Sequence, residues 1–351
     1  KNGGWPLNCI CLPDGRPIFG GTYFPKERWL SILKELQNLF FNEYDTITDY
    51  ANQLKDHLID WENRFEFKDN QNFPNISINN WIKELDMDFG GLKGSPKFPM
   101  PPLVNFGLKI AVLENNSAIE EWGHHTLYEM SQGGLFDWID GGFSRYSVDH
   151  RWHIPHFEKM LYDNAQLIET YHLANHLKPS KRYDHVIAKT FEWLEENLKC
   201  QNGLYYSAMD ADSEGEEGKY YVWSQTELRT FLEKDFDEAN QWFGFDTHSF
   251  WESDKIVLRL KHPEEEKNPD HFFSVLKKLQ LARKSKNKPV TDTKILLGWN
   301  ALLLGALAQI PEKIQSAVAL GEQLKSTLQK NNLWKGGSYE NRFIEDVFSD
   351  A

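Results

Sequence analysis

Residues 156–177 read HFEKMLYDNAQLIETYHLANHL, and this stretch indicates the kind of fold. Its first nine residues are rich in charged and aromatic side chains, and the remainder is suited to a long helix. Pro155 comes just before it, and proline is favoured at the first position of a helix. We therefore predict a helix over 156–177 with His156 and Glu158 in its first turn. The free N–H groups there would lower the pKa of a histidine.

Further segments of the same helical kind surround this one, separated by loops rich in glycine and aromatic residues. Their pattern predicts a mainly helical domain over residues 75–351. The other predicted helices of this domain are 77–86, 101–114, 118–132, 180–199, 224–233, 236–243, 268–283, 295–309 and 311–330.

The N-terminal part has a different pattern. Residues 5–24 predict a β-hairpin with turn chemistry at Pro13-Asp14-Gly15, and 26–42 predicts a helix with an apolar stripe. A second helical stretch continues to about Phe65. The polar segment 69–74 predicts a linker, so we expect a first domain over 1–68.

Composition excludes several classes of function. The chain has 351 residues, with 39 Lys and Arg against 52 Asp and Glu, a net charge of −13. Such an acidic chain repels a phosphate backbone, so we expect no nucleic-acid partner. The longest apolar run, 295–308, is too short for a membrane span, which needs roughly 20 residues. Cys9, Cys11 and Cys200 form no disulfide framework, which favours a reducing, cytoplasmic location.

The densest group of candidate site residues lies between Asp140 and Asn164. His156 is the candidate general base, and Glu158 or Asp163 would orient it. The remaining candidates here would bind substrate: Arg145 by polarising a carbonyl, Tyr146 and Trp152 by stacking, and Lys159 and Asn164 by polar contacts. Two further substrate-binding candidates, Asp210 and Asn300, lie in later segments. The alternative is that these residues have a structural role only. Lys159 and Asp163 are spaced as a helix-surface ion pair, and Glu158 could cap the helix.

A second acidic segment lies between aromatic runs at residues 205–223. Asp210, Asp212 and Glu214 match the first half of a calcium-binding EF-hand loop, but Tyr221 stands where a bidentate glutamate is required. A different divalent-cation site at these three residues remains open, as does a solvated acidic hairpin; no other cofactor is expected. Asn300 lies in a very apolar helix and needs a partner, either a ligand or a facing loop.

Several of these segments together resemble the spermatogenesis-associated protein 20 family. The matching segments, in order, are Gly3-Gly4-Trp5-Pro6-Leu7-Asn8, Pro13-Asp14-Gly15, Gly20-Gly21-Thr22-Tyr23-Phe24-Pro25, Pro96-Lys97-Phe98-Pro99, His156 to Asn164, and Asp210 to Gly215. The resemblance implies the C-terminal half of a thioredoxin-like domain, then a partial (α/α)6 toroid. That toroid resembles those of N-acylglucosamine 2-epimerases and six-hairpin glycosidases. It also implies that the family's cysteine-containing turn would lie before Lys1.

Three functions are consistent with these observations. The favoured one is a sugar epimerase or isomerase acting on a small-molecule substrate through His156. A glycoside hydrolase would instead use two carboxylates, Asp212 with Asp163 or Glu158. The third is a non-catalytic, thioredoxin-linked redox or binding protein. The sequence leaves the oligomeric state undetermined. We predict that His156, Arg145, Asp163 and one of Asp210 and Asp212 line one pocket.

Overall fold

The computed structural model describes residues 7–63, 81–262, 267–331, 337–339 and 342–344. The chain divides into two compact units, Lys1–Ile76 and Ser77–Ala351. The predicted linker at 69–74, the start of the predicted helix 77–86 and the end of the helical stretch near Phe65 lie outside the described residues.

The first unit contains the predicted hairpin. Strand β1 (Asn8–Cys11) pairs antiparallel with β2 (Pro17–Gly21), and Gly15 turns the chain with a φ of +88°. Two helices follow, α1 (Lys26–Asn42) and α2 (Tyr44–Asn63). Their small core is apolar and is made by Leu12, Ile18, Ile47 and Ala51.

The second unit is mainly helical, as predicted. Its helices are α3 (Pro101–Glu114), α4 (Ser117–Gln132), α5 (Leu161–Leu177), α6 (Lys181–Asn197), α7 (Gln225–Leu232), α8 (Phe236–Phe243), α9 (Pro269–Arg283), α10 (Leu297–Ala308) and α11 (Ile314–Asn331). Consecutive helices pair as α3 with α4, α5 with α6, and α10 with α11. The first helix of each pair also packs against the first helix of the next, α3 on α5 and α5 on α10. This succession of hairpins is that of a partial (α/α)6 toroid.

Short strands lie in the loops between the helices, including the loops that carry the candidate site residues. The pairs are β3 (Tyr146–Ser147) with β4 (Pro155–His156), and β7 (Asp212–Ser213) with β8 (Glu216–Glu217). Strand β6 (Ala208–Met209) lies between β5 (Lys159–Met160) and β9 (Thr291–Asp292). Strands β10 (Ile295–Leu296), β11 (Gly337–Tyr339) and β12 (Arg342–Ile344) form a further sheet.

One predicted helix boundary is wrong in a way that matters for the site. Helix α5 begins at Leu161 and not at residue 156, because the backbone of 155–160 is engaged in two strand pairings with distant segments. His156 and Glu158 therefore do not lie in a helical first turn. Among the described helices none is long and apolar enough to cross a membrane.

Candidate functional site

His156 is presented by a two-residue strand pair. Tyr146 of β3 lies directly opposite His156 of β4. The intervening loop is organised by Asp149, whose carboxylate accepts hydrogen bonds from the backbone N–H groups of Arg151, His153 and Ile154. Three bonds from one side chain give this loop a defined shape, so the position of His156 is set by its own loop.

The residues after His156 alternate between two environments. His156 and Glu158 are partly exposed, whereas Phe157 and Lys159 are buried. This period of two is that of an extended strand. It places the imidazole and the carboxylate on the same, solvent-facing side.

The polar groups on that side form a continuous cluster. His156 Nδ1 lies 2.6 Å from Glu217 Oε1, and His156 Nε2 lies 3.7 Å from Glu158 Oε2. Glu158 in turn accepts a hydrogen bond of 3.1 Å from Arg145 Nη1. We call His156, Glu158, Arg145 and Glu217 the His156 cluster.

Aromatic rings flank the cluster. The Tyr146 ring stacks on the His156 imidazole, with centroids 5.0 Å apart and an angle of 22°. The exposed Phe98 ring also contacts Tyr146, with centroids 4.8 Å apart. Tyr146 thus contacts the site, as predicted, but one face of its ring is occupied by His156 rather than open for a ligand.

The charge state of His156 differs from the prediction. Its pKa is raised, because the Glu158 and Glu217 carboxylates stabilise the imidazolium more than burial disfavours it. The same contacts lower the pKa of Glu158, since His156 and Arg145 offset the effect of its partial burial. The predicted lowering by a helix terminus is absent because no helix begins there.

Asp163 lies beside the cluster, in the first turn of α5. It is buried, and its Oδ2 atom has no hydrogen-bond partner among the residues that the structure describes. Burial raises the pKa of this carboxyl from 3.8 to about 7, which neighbouring Tyr162 and Arg145 only partly oppose. A carboxyl group that titrates near neutral pH close to Arg145 and Glu158 is a candidate for proton transfer.

The acidic segment forms a hairpin whose second strand reaches the cluster through Glu217. Asp212 lies opposite Glu217 across β7 and β8, so the two side chains are on the same face of the hairpin. Asp210 precedes it, is exposed, and accepts a bond of 3.3 Å from the Asp212 N–H. Asp212 is therefore near the His156 cluster, while neither residue is shown to contact His156.

The divalent-cation hypothesis gains no support from the side chains. Glu214 is held by Lys219 and Asn287, each at 2.8 Å. Within the ranges that the structure describes, no three His, Cys, Asp or Glu side chains are placed to hold one metal ion.

Four of the predicted substrate-binding side chains are buried and already bonded within the protein. Lys159 pairs with Asp137 at 3.0 Å and donates to the Gly141 carbonyl at 2.7 Å. Asn164 bonds the backbone N–H and C=O of Phe143.

The other two are Trp152 and Asn300. The Trp152 indole donates to the Phe89 carbonyl at 2.7 Å, and its ring carries the ammonium of Lys97 at 5.2 Å. Asn300 bonds the backbone N–H and C=O of Tyr205 at 2.8 and 3.0 Å. A facing loop is thus the partner of Asn300, which was one of its two predicted alternatives.

Two clefts of about 620 Å³ lie elsewhere on this unit. One is lined by the outer side of the acidic hairpin, including Glu214 and Lys219, and the other by His124, Tyr128 and Tyr183. His156, Arg145 and Asp163 line neither of them. The predicted single pocket is therefore not either cleft, although the three residues do lie together.

The sequence pattern missed Glu217 and Tyr162. Glu217 belongs to the acidic segment within 205–223. Its spacing in the sequence does not indicate a contact with His156, which lies 61 residues away. Tyr162 lies within the quoted stretch 156–177, between Arg145 and Asp163. Its raised pKa, caused by burial and by Asp163, was detectable only from the structure.

Comparison with known proteins agrees with the quoted segments. A family model described as Thioredox_DsbH, "Protein of unknown function, DUF255", matches residues 1–59. The human protein named spermatogenesis-associated protein 20 is 30% identical over 88% of this chain and 46% of its own length. The predicted resemblance to this family is confirmed. The chain spans about half the length of the curated relatives it matches.

Solved structures give a weaker likeness. A sugar epimerase from a ruminal bacterium is 13% identical, with a TM-score of 0.34, and covers 71% of this chain and 83% of its own. Cellobiose 2-epimerase from Spirochaeta thermophila DSM 6192 is 15% identical, with a TM-score of 0.33, over 72% and 81%. At these scores the likeness indicates nothing about the activity of this chain.

Proposed function

We propose that the His156 cluster is the proton-transfer site of a carbohydrate-processing enzyme of the epimerase or isomerase type. One observation carries the proposal. A partly exposed imidazole lies between two carboxylates, and one of these carboxylates is bonded to an arginine. Proton transfer at a carbon next to a carbonyl needs a base together with a cation for the oxygen that becomes negative.

The step needs a base, a cation for the oxygen, and an acid for the opposite face of the carbon. The neutral His156 imidazole takes the proton from the carbon next to the carbonyl of an open-chain sugar. The electron pair moves to the carbonyl oxygen, and Arg145 stabilises the resulting enediolate. Protonation of the same carbon from its other face gives the epimer and needs a second acid, for which Asp163 is the candidate. Return of the proton to the neighbouring carbon gives the isomer, and the hydroxyl proton of the first carbon then moves to the former carbonyl oxygen.

The raised pKa of His156 is compatible with the role of base. It makes the imidazole more basic, and it moves the pH at which the ring is neutral upwards. Activity should therefore increase with pH through the ionisation of His156. Asp163, titrating near 7, would supply the neutral donor at lower pH.

Glycoside hydrolysis ranks below this proposal. It needs one carboxyl group to protonate the leaving oxygen and a second, free carboxylate on the other side of the bond. Glu158 is engaged by Arg145 and His156, and Asp163 is buried. Neither of these two is a free carboxylate, since Glu158, although it faces solvent, is bonded and Asp163 is buried.

The test is hydrogen exchange without an assumed substrate. The protein is incubated in D₂O with aldohexoses, ketohexoses, N-acetylhexosamines and reducing disaccharides, and deuterium next to the carbonyl is measured by NMR. We expect enzyme-dependent exchange in at least one sugar. If every sugar in the panel keeps its hydrogen, the proposal is wrong.

A further inference from the structure

Glu217 connects the acidic hairpin to His156. Its Oε1 atom lies 2.6 Å from His156 Nδ1, the shortest polar contact of the cluster. An ionised carboxylate can only accept hydrogen bonds, so in this contact Nδ1 carries the hydrogen. The other ring nitrogen, Nε2, is then the atom left to gain or lose a proton.

We propose that Glu217 is the positioning residue of this site: it holds the hydrogen on His156 Nδ1 and directs Nε2 towards the reacting carbon. The proposal rests on the proposed function, since it names the atom of His156 that does the chemistry. Glu217 itself takes no part in bond making and acts only through His156.

The His156 side chain is partly exposed, and its Nε2 atom is held less closely than Nδ1. The distance of 3.7 Å from Nε2 to Glu158 Oε2 is beyond the range of a hydrogen bond. Arg145 holds Glu158 from its other side, at 3.1 Å. A sugar carbon at Nε2 would thus lie close to the carboxylate and to the guanidinium that stabilises the enediolate.

The hairpin is built to keep Glu217 in place. Its two-residue turn has positive φ at both positions, +55° at Glu214 and +76° at Gly215, which matches the tight turn that suits hairpin twist. The Glu214 side chain is held at this turn by Lys219 and Asn287. The Ser213 hydroxyl donates to the Asn287 carbonyl at 2.6 Å.

In the described part of the chain, the charged and titratable groups that face His156 come from three elements. Glu217 faces it from the hairpin, Glu158 from its own strand, and Tyr146 from β3. Arg145 acts through Glu158, and Asp212 lies opposite Glu217. Loss of the Glu217 charge should therefore lower the pKa of His156 while Glu158 keeps part of the effect.

The experiment measures the ring directly. The ¹⁵N and ¹³C signals of His156 are followed against pH by NMR in the intact chain, in Glu217→Gln and in Glu217→Ala. Glutamine keeps an acceptor without the charge, and alanine removes both. The matched control is Glu216→Gln. Glu216 is the neighbour of Glu217 on β8, and its exposed carboxylate pairs with Lys255 instead of His156.

The expected results separate position from charge. In the intact chain the neutral ring carries its hydrogen on Nδ1. Glu217→Gln lowers the pKa of His156 and keeps this tautomer, whereas Glu217→Ala shifts the hydrogen to Nε2. Glu216→Gln changes neither. On a sugar that exchanges, Glu217→Ala lowers kcat by about tenfold or more and leaves KM within about twofold. This pattern is expected because the variant misorients the general base without removing a substrate contact.

Two outcomes would overturn the proposal. One is a neutral His156 with its hydrogen on Nε2 in the intact chain, and the other is an unchanged His156 titration in both Glu217 variants. These readouts need no substrate, so they are distinct from failure of the proposed function. If no sugar exchanges but the tautomer follows Glu217 as described, the proposed function fails and the positioning contact stands.

Discussion

Asp137→Asn should strongly destabilise the second unit, because Asp137 lies between two buried cations. Its carboxylate is 3.0 Å from Lys159 Nζ and 2.7 Å from Arg283 Nη1. Arg283 also pairs with Asp140 at 2.9 Å. Two carboxylates thus balance two cations, and asparagine of the same size would leave one buried positive charge without a counter-charge.

The magnitude follows from this arrangement. Removing one partner of a buried ion pair costs about 3–5 kcal/mol, because the remaining charge stays desolvated. The pKa of Asp137 gives a second, lower value for the same stabilisation. Burial would raise it, but Arg283 and Lys159 lower it from 3.8 to about 2. This difference corresponds to a stabilisation of about 2 kcal/mol.

The assay is urea unfolding at pH 7, monitored by tryptophan fluorescence. The matched control is Glu192→Gln, which removes the partner of Lys189 in an exposed ion pair of 2.6 Å. We expect a loss of about 3–5 kcal/mol for Asp137→Asn and less than about 1 kcal/mol for the control. Equal losses for the two variants would refute the reasoning.

The pH dependence gives the same test a second arm. Because the folded pKa of Asp137 lies below 3.8, its contribution is complete above about pH 4 and is lost as the pH falls towards 2. The intact chain should lose this stability over that interval. Asp137→Asn should lack this component, and an identical acid profile in the variant would contradict the assignment.

Three further changes have defined outcomes. Burial lowers the pKa of His185 from 6.5 to about 4. Because the folded protein holds this ring neutral, the free energy of unfolding should fall by up to about 3 kcal/mol between pH 6.5 and 4. In urea titrations His185→Phe should flatten this pH dependence. Gly215→Ala meets no atom within 4 Å but keeps a φ of +76°, so thermal unfolding should show a cost of only about 1 kcal/mol. Asn300→Ala leaves the buried Tyr205 backbone unpaired, and calorimetry should show a loss of about 1–3 kcal/mol.

Local sequence patterns were sufficient for most helices. The bounds predicted for 101–114 and 236–243 are those observed, since a proline start or an apolar stripe marks them. The start of α5 was misplaced because strand pairing of 155–160 with residues near 146 and 208 overrides a local preference for helix. Such pairing depends on segments that are distant in the chain.

The candidate site could be predicted only in part, because its contacts also join segments that are distant in the chain. His156, Arg145 and Asp163 were expected in one pocket with Asp210 or Asp212, and the structure gives His156 the neighbours Glu158 and Glu217 instead. Lys159 has the same polar character in the sequence, yet it is fully buried against Asp137. Only the fold distinguishes a polar side chain that faces solvent from one that holds loops together.

The most direct test of the central claim is the rate of hydrogen exchange when His156 is changed. In a sugar that exchanges in D₂O, His156→Gln should lower the rate by about 100-fold or more, the usual contribution of a general base. His176→Gln, an exposed histidine in the last turn of α5, is the matched control and should leave the rate unchanged. An exchange rate for His156→Gln equal to that of the control would contradict the account.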